Sequence, residues 1–213
     1  MSDMIRPPFK DILQSIPGVF GIRLEEEPAY TVLDTIGDVE IRRYAPALLA
    51  QVTVRGDHEH ALNESFNILA RYIYGKNAED ATLHMTSPVF QAPTAGDDAS
   101  TTPMLRDADG DAWTVAFFLS NDLLPEEAPQ PEDPAVQLVM RPQTTIGSLR
   151  FTGNNTEARR AESKRTLLET LTRDGRWRVI DDVSWAQYDQ PFAVPFLKRN
   201  EAHAELEEIT NAS

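Results

Sequence analysis

Apolar and polar positions follow two periods along the chain, and they do so twice in the same order. Val39-Glu40-Ile41-Arg42 alternates apolar and polar, the period of a half-buried strand. Ala45-Pro46 makes a turn, and residues 48–54 form a second strand that Gly56-Asp57 ends. From Asp57 the period becomes helical. Leu62, Phe66, Leu69 and Ile73 share one helix face, with Asp57 as N-cap and Gly75 as stop. Residues 136–141 and 145–151 repeat the strand–turn–strand unit around Pro142, and Gly153 ends it. Asn154 with Glu157 three residues on resembles a capping box. Ala158, Ala161, Leu168 and Leu171 then give a second helical stripe that Gly175 closes. Strand candidates follow both helices: 84–91 and 113–119 after the first, then 176–180, 185–188 and 196–206 after the second.

This order predicts an α+β fold: one pseudo-symmetric domain of two ββαβ-like halves. Their antiparallel strands form a distorted barrel or curved sheet, flanked by two long helices. Residues 1–26 are expected to be an N-terminal arm with a short helix broken at Pro17-Gly18, and 27–213 the domain. Its halves span about 27–124 and 135–205. Residues 125–134, with four prolines and four acids, form an extended crossover between them. Residues 94–111 read as a polar linker with a hairpin turn at Asp109-Gly110. Neither half has enough apolar surface to stand alone.

Composition narrows the function. The 213 residues are 41% apolar and carry a net charge of −14, which repels phosphate backbones and anionic membranes. Neither nucleic-acid binding nor stable membrane association is expected. Without cysteine there can be no disulfide, thiol nucleophile or Cys-ligated metal. No apolar run reaches the roughly 18–20 residues of a membrane span. The start, Met1 to Lys10, has no apolar core of a signal peptide, so a cytoplasmic protein is expected.

Familiar catalytic and metal motifs are missing. Asp107 to Asp111 resembles a calcium loop, but Ala112 and Phe118 fill the positions that need Gly and Glu. His58 and His60, near the start of the first helix, are about 200° apart around its axis and read as solvated. His84 and His203 show no ligand pattern, and Met85 reads as core filler. No metal site is expected.

An ordered set of landmarks nevertheless runs from Glu27-Pro28-Ala29-Tyr30 to Arg199-Asn200-Glu201. It includes Glu40-Ile41-Arg42-Arg43-Tyr44, Tyr72-Ile73-Tyr74-Gly75-Lys76-Asn77, Met85-Thr86-Ser87-Pro88-Val89 and Phe117-Phe118-Leu119. Further on come Pro129 to Pro134, Phe151-Thr152-Gly153 and Ala186-Gln187-Tyr188-Asp189-Gln190-Pro191. Together these resemble the SOUL family of haem-binding proteins. The resemblance implies a distorted antiparallel barrel with two helices, and binding of haem or another tetrapyrrole in an apolar cleft beside the first helix. Arg71 stands where relatives have a basic residue that contacts a propionate. Asn63 stands where they have a second, the loop Phe192-Ala193-Val194-Pro195 has no base, and Arg43 replaces a His found in some relatives. The same fold resembles the ligand-binding domains of bacterial regulators of the gyrase-inhibitor type, some of whose relatives are hydrolases.

On the first helix the flank beside the core stripe carries Asn63, Asn67, Ala70 and Tyr74, with Arg71 next to it. Small Ala70 and amphipathic Tyr74 would let a flat ligand lie there, and Asn is an unusual choice inside a helix. The expected function is therefore non-catalytic haem or tetrapyrrole binding, with weak axial ligation or none. The rival is a hydrolase or sensor for another planar hydrophobic molecule in the same cleft. It would use a carboxylate from among Glu40, Glu64 and Glu201.

Overall fold

The computed structural model describes residues 26–84, 86–93, 112–189 and 198–209. The arm, Met85, the Asp109-Gly110 turn, the 192–195 loop and the start of the 196–206 strand lie outside them. Among the described residues, ten strands and two helices occur in the order β1 (Tyr30–Ile36), β2 (Val39–Tyr44), β3 (Ala47–Arg55), α1 (His58–Ile73), β4 (Val89–Pro93) and β5 (Ala112–Phe118). The order continues with β6 (Gln137–Arg141), β7 (Thr144–Thr152), α2 (Glu157–Asp174), β8 (Trp177–Val179), β9 (Ser184–Gln187) and β10 (Arg199–Glu208). One curled antiparallel sheet runs β1-β2-β7-β10-β9-β4-β5-β3-β6, with β8 also on β10.

Apart from the edge strand β1, that order is palindromic. Exchanging β2, β3, β4 and β5 for β6, β7, β9 and β10 reproduces it from the other end, so a pseudo-twofold axis passes between β4 and β9. In their register Val89 faces Gln187, Phe90 faces Ala186 and Gln91 faces Trp185. The axis thus runs through the Phe90–Ala186 pair and makes Gln91 and Gln187 equivalents. The halves are interleaved rather than side by side: β2 pairs β7, β3 pairs β6, and β4 pairs β9.

Strand alternation decides which face the helices cover. Ala202, Ala204 and Leu206 of β10 join Leu167 and Leu171 of α2 in one core cluster. Leu48, Ala50 and Val52 of β3 join Leu69, Tyr72 and Ile73 of α1 in a second. The alternate residues, Glu201 and His203 on β10 and Leu49 on β3, face the other side. There Leu49, Ala116 and Phe118 form a smaller apolar cluster with Phe90 against it. Gly147 lets α2 lie close over β7, because a Cβ there would stand 3.2 Å from Leu206 Cδ1 and 3.3 Å from Leu171 Cδ1.

The helix ends follow their caps. The Asp57 carboxylate accepts from the His60 amide, which caps α1, and Gly75 follows its C-cap with φ of 100°. α2 starts two residues later than expected. Thr156, not Asn154, is its N-cap and accepts from the Arg159 amide, while Gly175 is a left-handed C-cap at φ 75°. The 125–134 crossover docks on the end of α1. The Tyr72 hydroxyl donates to the Pro129 carbonyl at 2.9 Å, and the Ala78 amide donates to Gln130.

Candidate functional site

The five residues singled out on the first helix all lie on α1 or its C-cap. Asn63, Asn67 and Arg71 are exposed, Ala70 is buried and Tyr74 is half-buried. At 100° per residue, Asn63, Asn67, Ala70 and Tyr74 fall on one flank, next to Phe66. The Phe66 ring meets Phe117 of β5 edge-on at 5.4 Å. Tyr74 is fixed by a bridge to Thr82, and the Arg71 carbonyl accepts from the Lys76 amide at 2.8 Å. Burial reaches further round α1 than the stripe read from sequence. Ala61, Ser65, Ala70 and Tyr72 are buried with Leu69 and Ile73, while Leu62 and Phe66 are only partly so.

The opposite face of the sheet holds a charged network that sequence reasoning did not assemble. Its centre is Glu201, which is 0% exposed. Arg42 donates to its Oε2 at 2.7 Å, and Arg199 to its Oε1 at 2.7 and 2.9 Å. Tyr188, His203 and Ser148 add hydrogen bonds to Oε2 at 2.9, 3.0 and 3.2 Å. Glu40 takes the Arg42 Nε at 2.8 Å, and Glu27 takes Arg199 Nη1 at 3.1 Å. The guanidinium carbons of Arg42 and Arg199 sit 4.5 and 3.7 Å from the ring centres of Tyr30 and Tyr188. A cleft of about 220 Å³ opens onto this network.

Electrostatics makes that network a poor proton shuttle. Burial opposes the Glu201 charge, but hydrogen bonds from His203 and Arg42 and the Arg199 charge outweigh it and hold the carboxyl far below its usual range. A general base needs a pKa near the working pH and a free lone pair. Glu201 has neither. Glu64 is exposed and paired with His60 at 3.1 Å, and Glu40 is committed to Arg42. None of the three carboxylates is a buried acid beside the α1 flank.

The histidines divide differently from expectation. His60 is exposed, as read, but His58 is not simply solvated: its Nε2 meets Gln91 Oε1 at 2.7 Å and its ring lies edge-on to Trp113 at 4.5 Å. His203 is fully enclosed and bonded to Glu201. His84 is exposed, two residues beyond Thr82, the partner of Tyr74. Among the described residues no group of three or more His, Asp or Glu could hold a metal ion, and no helix is long and apolar enough to cross a membrane.

Arg71 forms no ion pair among the described residues, so its guanidinium is available to a carboxylate beside the small Ala70 and the Tyr74 ring. By the same spacing His60 stands at the N-terminal end of the row of Asn63, Asn67, Ala70 and Tyr74, and its Nε2 meets Glu64 Oε2 at 3.1 Å.

The family model described as SOUL heme-binding protein matches residues 25–205. The Heme-binding protein 2 of Homo sapiens is 28% identical over 169 residues, covering 77% of this chain and 75% of the human protein. Among solved structures, the EcmrR C-terminal domain is 11% identical with a TM-score of 0.57, over 84% of this chain and 99% of that domain. A hydrolase from Listeria innocua is 13% identical with a TM-score of 0.52, over 82% and 94%. At these identities the two structures share the fold alone. The family model, by contrast, spans both helices and every strand up to most of β10, and the chain belongs to the SOUL heme-binding protein family.

Proposed function

We propose that this protein binds haem or a related tetrapyrrole on the α1 flank formed by Asn63, Asn67, Ala70 and Tyr74, without catalysing a reaction. Arg71 pairs with a propionate. The observation that carries the reading is family membership over residues 25–205, joined to an Arg71 that has no acidic partner among the described residues. The porphyrin ring would be held by burial and stacking. At about 25 cal/mol per Å² of apolar surface, that supplies several kcal/mol without strong axial ligation. The acidic, cysteine-free composition supports a cytoplasmic setting and argues against nucleic-acid or membrane partners. The hydrolase or sensor reading needs a free acid beside this flank, and the saturated state of Glu201 weighs against it.

Haemin titration tests the proposal. A saturable Soret shift with tryptophan quenching is expected below about 50 μM, an affinity of about −6 kcal/mol or better. Arg71→Ala should weaken binding by roughly fivefold to a hundredfold, the scale of a hydrogen bond to a charged group. Its apo melting temperature should barely move. Arg71→Lys should keep part of the affinity, because the charge remains but the planar fork is lost. Absence of any saturable signal would sink haem binding, and equal affinity of wild type and Arg71→Ala would remove the anchor.

A further inference from the structure

Between the starts of the two helices, on the pseudo-twofold axis, lies a second cluster that the tetrapyrrole reading does not use. It comprises His58 on the first turn of α1, Gln91 on β4, Trp113 on β5, Trp185 on β9, and Asn155 and Arg160 at the start of α2. His58 and Arg71 are thirteen residues apart on one helix, so the cluster lies about 20 Å along α1 from the proposed propionate anchor.

Arg160 is the unusual member. It is 8% exposed, yet it forms no ion pair among the described residues. The other buried arginine, Arg42, is neutralised by Glu201 and Glu40. Arg160 donates once, from Nη1 to the Asn155 carbonyl at 2.7 Å. Its Nε and Nη2 donate to no described residue, and neither is sealed from solvent. Two indole rings flank the guanidinium, with centres 5.5 and 5.9 Å from its carbon and 6.2 Å from each other. Cation–π attraction offsets part of the cost of burying a charge but satisfies no N–H. Burial holds the Arg160 pKa below its usual value, and Glu157 is the acid whose charge reaches it.

Asn155 supplies the complementary defect. Its Nδ2 donates to Gln91 Oε1 at 3.4 Å, while its Oδ1 is buried without a partner. Gln91 cannot help, because it already meets His58 and donates to its pseudo-symmetric equivalent, Gln187. A buried acceptor left unpaired costs about 1–3 kcal/mol, so such atoms normally have partners. The cluster therefore holds an unneutralised cation, a buried acceptor without a partner, and two indoles that are 8% and 5% exposed.

The geometry points to a binding site, between the starts of α1 and α2, for an aromatic carboxylate that also carries an O–H or N–H donor. The carboxylate pairs with Arg160, the donor satisfies Asn155 Oδ1, and the ring lies against Trp113 and Trp185. This site stands whether or not the α1 flank takes haem.

The test uses meta-hydroxybenzoate as probe, with benzoate and phenol as controls, read by thermal shift and tryptophan emission on the full chain. Saturable binding of meta-hydroxybenzoate is expected, weaker binding of benzoate, and none of phenol. Arg160→Met should lower affinity for the probe by about tenfold or more, the scale of a charged hydrogen bond. It should not lower the apo melting temperature, because it removes an uncompensated buried charge. Asn155→Leu should abolish the preference for the hydroxylated probe over benzoate, a readout that a purely structural role would not move. If the wild type gives no saturable response up to about 10 mM, weaker than the usual range for small ligands, the site is overturned. It is equally overturned if Arg160→Met melts lower while wild type and variant respond alike, which makes Arg160 a structural plug.

Discussion

Removing a carboxylate that is buried among cations does more damage than removing the whole group of charges, because the partners are left uncompensated. Glu201→Gln does this to Arg42 and Arg199 at once. It should lower the free energy of unfolding by about 3–5 kcal/mol, measured as a shift of the urea midpoint with the slope unchanged. An unshifted midpoint would mean that the network adds nothing to stability. Asp181 carries the opposite sign. Burial first, then the charges of Glu205 and Asp182, push its pKa up from 3.8 to about 6. The folded state therefore binds more protons than the unfolded state between these values, and stability is lost as pH rises through them. Asp181→Asn should stabilise the protein near neutral pH and lose that advantage as the pH falls to the ordinary aspartate range. Because the group is only partly buried, solvent screening reduces the gain to about 1 kcal/mol. Melting curves across that range check the sign. Neither residue was legible in this role from sequence. Glu201 meets Arg42 across 159 positions, and nothing local marks either as the other's partner.

At the scale of elements, legibility followed burial. α1 was readable because Leu69 and Ile73 are buried at helical spacing and Asp57 caps it with its own side chain. The pairs β2–β3 and β6–β7 were readable because Pro46 and Pro142 turn one strand into the next and Gly56 and Gly153 follow the second strand of each pair. β1 was not read as a strand at all. It is an edge strand whose residues are mostly exposed, so pairing with β2 creates it and no apolar alternation announces it. The α2 cap slipped by two residues because Asn154 and Thr156 both offer a capping oxygen, and only the backbone turn selects Thr156. The flank of α1 could be proposed because its residues share one helix row, while the Arg160 cluster was invisible. Its six members come from five elements and the loop before α2, and only the strand order brings them together.

The whole molecule behaves as one unit because its halves exchange sheet partners. A chain cut at the crossover would leave β2, β3 and β4 of the first half without β7, β6 and β9. Residues 27–124 or 135–209 expressed alone should therefore show no cooperative urea transition, whereas the two fragments mixed should regain one. A single fragment with a sharp transition and dispersed amide NMR signals would show that a half is an independent folding unit. The duplicated ββα order along the chain made this architecture readable in outline. The interleaving was not readable, since a side-by-side arrangement of two small sheets gives the same sequence pattern.

The seam between β4 and β9 also sets a timetable. A ribosome releases β1 to β5 before any strand of the second half exists, and synthesis of the remaining stretch takes on the order of ten seconds at about 5–20 residues per second. During that interval β2, β3 and β4 each present an unpaired edge, and Arg42 has not yet met Glu201. The nascent protein is thus a set of sticky strands waiting for their counterparts. Its yield in the cell depends on what shields those edges until β10, the strand that supplies both Glu201 and the last inner pairing, leaves the exit tunnel.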